Sequence, residues 1–263
     1  MLLPDIRISA VQSNLIWENR DANLKMLENK IVALRGQTDI VVLPEMFTTG
    51  FSMNPATLSE PLEGRTMKWM KRVAAENRVV LTGSLMIEDE GTYFNRLIWM
   101  LPDGNYGEYN KRHLFGFAGE QSWFTPGEAR FIASVNRWKI QLQICYDLRF
   151  PVWARHSSPE APEFDVLIYV ANWPEKRSTA WKTLLQARAI ENQCYVVGVN
   201  RVGKDGNDIY HSGDSMIIDP LGEVLLQAAH DETILTETLS YDTLQQCRHQ
   251  FPFLRDGDAF IRL

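Results

Sequence analysis

Leu142–Pro151 reads LQICYDLRFP. An apolar run that starts near Lys139 ends in Cys145, and a charged, aromatic segment closed by Pro151 follows without a spacer. Short, bounded apolar runs of this kind are read as strands. Cys145 therefore stands at a strand end, either as a small buried hydrophobe or as a nucleophile, and these ten residues do not choose between the two. Downstream, DVLIYVAN (165–172) is a second buried run that closes before Trp173 and Pro174. A helix is expected from Ser178 to Gln193, capped by Ser178 or Thr179, with Trp181, Leu184, Leu185 and Arg188 on one face. CYVVGVNR (194–201) is again a strand. HSGDSMIIDPLGEVLLQA (211–228) gives two strands around a turn at Pro220–Gly222. TILTETLS (233–240) is a last strand before an acidic and aromatic tail.

Upstream, IRISAVQ (6–12) alternates as a strand does. Leu24, Leu27, Ile31 and Leu34 form one helical stripe. DIVVLPE (39–45) is an unbroken β-branched run, as expected of a strand covered on both faces. A helix over Gly64–Asn77 precedes the strand RVVLTGS (78–84). FNRLIWMLPDGNYGEYNK (94–111) predicts a hairpin turning at Pro102–Gly104. RFIASV (130–135) and KIQLQIC (139–145) form a further pair. About a dozen strands are too many for one ordinary sheet, so two packed sheets with helices outside are predicted. With no repeat, linker or low-complexity tract, the whole span 1–263 reads as one α/β domain.

Composition is that of an ordinary globular chain, 45% hydrophobic and 23% charged, with a net charge of −6. That balance carries no basic footprint, so no nucleic-acid partner is expected. The first residues lack the basic and apolar regions of a signal peptide, and no apolar run reaches membrane-spanning length, so no membrane association and a cytoplasmic location are expected. Cys145, Cys194 and Cys247 fit neither a disulfide framework nor a zinc site. Cys194 opens a strand and Cys247 lies in a surface helix near the end, and neither is given a chemical role.

Three apolar runs end in a reactive residue: Glu45, Lys111 and Cys145. In α/β proteins, sites gather outside strand ends. A thiol needs a base or a cation to become nucleophilic at neutral pH. Glu45 is suited to accept the thiol proton. Lys111, with the Tyr146 backbone N–H, is suited to hold the oxyanion of a tetrahedral intermediate.

Glu45 in VVLPEMFTTGF, Lys111 in YNKRHLF and Cys145 in ICYDLRFP resemble the Glu–Lys–Cys triad of the nitrilase, or carbon–nitrogen hydrolase, superfamily. The resemblance runs from ISAVQ to about DPLGEV. It implies an αββα four-layer sandwich, commonly a homodimer, and thioester chemistry with no metal and no organic cofactor. It also assigns Glu120, in GFAGEQSWFTPG, to a second glutamate that positions the lysine and substrate. EMFTTGFSM, CYDLRFP and ANWP are most similar to the ω-amidase branch. That branch implies a small-molecule substrate, a short dicarboxylate monoamide such as α-ketoglutaramate or α-ketosuccinamate. A distal carboxylate calls for a guanidinium. Arg149 is the first candidate, with Lys176 and Arg177 second. Phe51, Phe117 and Trp173 are expected to wall a small, dry pocket. The alternatives are another branch (nitrilase, aliphatic amidase or carbamoyl amidohydrolase), a Cys–His hydrolase using His113, His156 or His211, and a non-enzymatic binding protein.

Overall fold

Alternate residues of the same apolar run face two different cores. Ile40 and Val42 join Ile6, Ile8, Leu142, Ile144 and Ile168 in one buried cluster. Val41 and Leu43 join Leu24, Leu27, Ile31, Met70 and Val73 in another. A strand's side chains alternate across its sheet, so this partition puts strands on one face of the sheet and helices on the other. The computed structural model describes residues 3–159 and 161–261, and the expected 1–263 span reaches beyond these at both ends.

In chain order the elements are β1 (Ile6–Gln12), α1 (Arg20–Ala33), β2 (Ile40–Val42), α2 (Pro55–Leu58), α3 (Arg65–Asn77), β3 (Val80–Asp89), β4 (Thr92–Met100), β5 (Tyr106–Asn110), β6 (Ile132–Val135) and β7 (Trp138–Ile144). There follow β8 (Val166–Ala171), α4 (Ser178–Asn192), β9 (Tyr195–Asn200), β10 (Val202–Lys204), β11 (Tyr210–Ile218), β12 (Val224–Ala229), β13 (Thr233–Leu239) and α5 (Tyr241–Gln250).

Six strands form one sheet in the order β13-β1-β2-β3-β4-β5, and seven form the other, β10-β11-β9-β8-β7-β6 with β12 on β11. The centre of each sheet is parallel: Ile8 pairs with Ile40 and Ile40 with Val80, while Ile140 pairs with Val166 and Ala171 with Asn200. Parallel neighbours end on the same side, so β7 and β8 finish together, and hydrogen bonds between Asn172 and Glu45 set the exit of β2 beside that of β8. Helices α1 and α3 cover the first sheet. Helix α4 covers the second through Trp181, Leu185 and Ala189. The two-sheet α/β architecture expected from the sequence is therefore present.

Two local expectations are corrected. Neither Ser178 nor Thr179 caps α4: Arg177 is the N-cap residue and makes no side-chain cap, because a 3₁₀ turn over Glu175–Arg177 already delivers the chain in helical geometry. The strand read as RVVLTGS runs on to Asp89 and forms a hairpin with β4. Its turn uses positive φ at Glu90 (50°) and Gly91 (78°), a left-handed pair suited to a tight hairpin. The helix expected around Cys247 is present as α5, and Cys247 lies on its inward face at 6% exposure. Among the described residues, no helix is long and apolar enough to cross a membrane.

Helix α4 approaches β9 closely at Gly198, where an added Cβ would lie 2.4 Å from a Leu185 methyl and 2.9 Å from the Trp181 ring. Gly198→Val is expected to lose about 1–3 kcal/mol of stability by overpacking. Urea unfolding measures this, and an unchanged midpoint would contradict the packing of α4 on β9.

Candidate active site

β7 ends in extended geometry at Ile144, and the chain then turns sharply at Cys145, whose φ is +45°. A left-handed conformation is unfavourable for a residue with a Cβ and persists only where its surroundings enforce it. Here the enforcing group is Asp147. Its Oδ2 accepts from the Ile144 N–H at 3.0 Å and from the Tyr109 hydroxyl at 2.7 Å. Its Oδ1 accepts from the His113 N–H at 3.0 Å and lies 2.8 Å from His113 Nδ1. One carboxylate thus staples the exit of β5 to the exit of β7. From the other side, Arg188 Nη2 on α4 donates to the Leu148 carbonyl at 2.6 Å.

Lys111 follows β5 directly, and Gly127 N–H and Asn95 O fix its backbone. Its Nζ donates to Glu45 Oε1 at 2.8 Å and to Glu120 Oε2 and Oε1 at 2.9 and 3.1 Å. All three side chains are fully buried. Glu45 sits three residues past β2, and its Oε2 accepts from the Asn172 N–H at 2.9 Å, while Asn172 Nδ2 donates to the Glu45 carbonyl at 2.6 Å. Asn95 on β4 donates to both carboxylates, at 2.9 Å to Glu45 and 3.2 Å to Glu120. Glu120 opens a 3₁₀ turn and also accepts from the Phe115 N–H at 2.5 Å.

The electrostatics follow from this arrangement. Burial pulls the Lys111 ammonium down, but the charges of Glu120 and Glu45 outweigh it and hold Lys111 above its ordinary range. Burial raises the Glu120 carboxyl against the pull of Lys111. Burial, then the Glu45 charge and a hydrogen bond to Glu45, push the Cys145 thiol well up. The thiol is therefore neutral at rest, with an acceptor carboxylate against it. This differs from a preformed thiolate held by Lys111. Lys111 pulls the thiol the other way, but burial and the charge of Glu45 outweigh it.

Cys145 lies at the floor of a cavity of about 920 Å³ whose lining includes Phe51, Tyr146, Arg149, Trp173, Lys176 and Arg177. The Phe51 ring is 5.1 Å from Lys111 Nζ, and Trp173 is 4% exposed. Phe117 also lines the cavity but is 88% exposed, a rim residue rather than a wall. The expected small, dry pocket is thus a roomy, open one, because the glycine-flanked segment carrying Phe117 projects outward. Arg149 is exposed and stacks over Trp173 at 4.9 Å, paired with neither Asp147 nor Glu120. Tyr146 is the second residue of the Cys145–Arg149 3₁₀ turn. Its N–H is one of the donors that the start of such a turn leaves without a partner inside it.

The histidine alternative lacks geometry. His113 binds Asp147, and His156 is hydrogen-bonded to the Asn192 carbonyl and the Glu163 N–H. His211 reaches the cavity but contacts the Gly203 carbonyl, and burial lowers it to about 4. Sequence reading missed Asn95, Asp147 and Phe115. The signal for Asn95 was a strand-averse residue inside the apolar pattern of β4; Asp147 and Phe115 gave none. Among the described residues, no group of His, Cys, Asp and Glu is arranged to hold a metal ion.

A model of the carbon-nitrogen hydrolase family matches residues 7–249. Omega-amidase YafV of Escherichia coli (strain K12) is 40% identical over 259 residues, covering 98% of this chain and 99% of that protein. The 2-oxoglutaramate amidase of Bacillus subtilis (strain 168) is 31% identical over 252 residues, 95% and 96% of the two chains. A CN-hydrolase superfamily protein from Xanthomonas campestris, whose crystal structure has an arsenic adduct in the active site, superposes with a TM-score of 0.97. It is 42% identical, and the match covers 99% of this chain and 100% of that one.

Because the charge of Glu45 and its hydrogen bond both raise the Cys145 thiol, Glu45→Gln is expected to lower the thiol pKa. The pH midpoint of iodoacetamide alkylation should then move to lower pH even as amide turnover falls about 100- to 10,000-fold. A midpoint that stays in place would remove Glu45 from contact with the thiol.

Proposed function

The chain belongs to the carbon-nitrogen hydrolase family, and on that premise we propose that it is an ω-amidase. It hydrolyses the terminal amide of short dicarboxylate monoamides, α-ketoglutaramate and α-ketosuccinamate, to the dicarboxylate and ammonia. Likeness to an omega-amidase and a 2-oxoglutaramate amidase along nearly the whole chain supports the substrate class. The observation that carries the chemistry is the buried Glu45–Lys111–Glu120 hydrogen-bond cluster set against Cys145 at the cavity floor.

Cys145 Sγ attacks the amide carbon while Glu45 takes the thiol proton. The developing oxyanion is held by Lys111 Nζ and the Tyr146 N–H. An ammonium has three donors; Glu45 takes one and the two Glu120 oxygens share another, which leaves one for substrate. Glu120 keeps the ammonium turned that way. Collapse of the tetrahedral intermediate breaks the C–N bond, and Glu45 returns its proton to the departing ammonia. Glu45 next takes a proton from water, which attacks the thioester carbon and releases the carboxylic acid and the thiol. Each proton removed is given back, so one water is consumed and the enzyme is restored. The fixed donors act where charge develops, and the cluster that orients them is fully buried.

Arg149, exposed in the cavity and in no ion pair among the described residues, suits a substrate carboxylate. Phe51 and Trp173 shape the wall, and Phe117 guards the rim. The reading also takes the protein as one cytoplasmic domain that works as a homodimer. Exposed apolar side chains of Ile190, Leu221, Val224 and Leu225 around α4 and β12 offer a surface for a second copy.

Ammonia release from α-ketoglutaramate should fall at least about 1000-fold in Cys145→Ala and in Lys111→Ala. Near-wild-type turnover in either variant rejects the mechanism. In a panel of ω-monoamides, carbamoyl acids and nitriles, the ω-monoamides should have the highest kcat/KM. Carbon dioxide release from carbamoyl acids as the dominant activity would overturn the substrate assignment.

A further inference from the structure

Two guanidinium groups line the cavity above Cys145 without a protein anion. Arg149 stacks over the Trp173 ring at 4.9 Å, and Arg177 stacks over the Phe115 ring at 5.3 Å. Among the described residues neither side chain is in an ion pair. Both line the same cavity as Cys145, and the charge of Arg149 opposes that of Arg177. They also share one mount. The ring of Trp173 carries Arg149, and its Nε1–H donates to the Arg177 carbonyl at 2.8 Å.

Arg177 differs from its neighbours. Arg149 and Lys176 are exposed, whereas Arg177 is half-buried, and burial, followed by the Arg149 charge, lowers its affinity for a proton. A cation held partly out of water with no anion beside it is unfavourable. A bound anion between the two guanidiniums removes both that cost and their repulsion. The ring under Arg177 belongs to Phe115, whose N–H is bound to Glu120, so the guanidinium rests on a residue tied to the catalytic cluster.

We propose that Arg177 and Arg149 form a two-armed clamp for the distal carboxylate of the substrate, with Arg177 as the arm that sets specificity. This rests on the ω-amidase reading for the amide end. The clamp itself is defined by the anion it binds. A planar fork is matched to a carboxylate, and stacking on Phe115 and Trp173 restricts each fork before the ligand arrives. A substrate with a carboxylate at one end and an amide at the other spans from clamp to thiol. A neutral amide of the same length leaves the clamp unfilled.

The test separates anion reading from folding and from catalysis. In Cys145→Ala protein, glutarate binding by calorimetry should weaken about 10- to 100-fold on adding Arg177→Met. Arg177→Lys should recover part of the loss, since it restores the charge and not the fork. In the active enzyme, Arg177→Met should raise KM for succinamate by a similar factor with little change in kcat, and leave the kinetics of butyramide unchanged. Arg149→Met should act in the same sense but less. Equal losses for succinamate and butyramide, or unaltered glutarate binding, overturn the clamp. If the wild type binds glutarate through Arg177 but releases no ammonia from ω-monoamides, the ω-amidase reading fails and the clamp stands.

Discussion

A single ammonium held between two buried carboxylates is the constraint on which the rest of the site depends. Lys111 Nζ lies within 2.9 Å of an oxygen of both Glu45 and Glu120, and none of the three side chains reaches solvent. Charges without water are tolerated where hydrogen bonds offset their lost hydration. The matching groups come from far apart in the chain: the Asn172 N–H after β8, Asn95 in β4, and the Phe115 N–H ahead of the Glu120 turn. Removing one partner of such a set typically destabilises by about 3–5 kcal/mol. The cluster therefore fixes the exits of β2, β5 and β8 against the body of β4 while it poises a base, an electrophilic ammonium and an orienting carboxylate around one point.

The thiol is delivered to that point by a different device. Cys145 is held at positive φ by the Asp147 staple and by the grip of Arg188 on Leu148. Since the staple also holds Tyr109 and His113, the stretch carrying Lys111 and the turn carrying Cys145 cannot move apart without breaking buried hydrogen bonds. The two sheets are thereby registered against each other at the one place where their relative position matters for bond formation.

Much of this was legible in the sequence because strands are read from local periodicity, and a polar residue at the end of an apolar run stands out. Glu45, Lys111 and Cys145 were visible in that way. The features that were not visible depend on long-range pairing. Asp147 looks like a loop carboxylate until Tyr109 and Ile144 are seen to share it. The neutral state of the thiol depends on burial and on Glu45 lying against it, which spacing does not reveal. Phe117 reads as a wall residue by type, but which way a glycine-flanked segment points is a property of the assembled fold. The missing cap of α4 arose because a 3₁₀ turn enters the helix already wound, a continuity that residue preference alone does not display.

The two sheets divide the labour of the cavity. Glu45, Lys111 and Asn95 belong to the first sheet or its exits, while Arg149, Trp173 and Arg177 follow β7 and β8 of the second. Proton handling and ligand choice are thus encoded in separate parts of the chain, while the nucleophile Cys145 shares its turn with Arg149. Their direct cross-links are few, chiefly Asn172 to Glu45 and Asp147 to the Lys111 stretch. A lineage could exchange Arg149, Trp173 and Arg177, and with them the acid it accepts, while inheriting the nucleophile and the proton-transfer apparatus unchanged. Diversification of substrate on a constant reaction is the evolutionary path this layout leaves open.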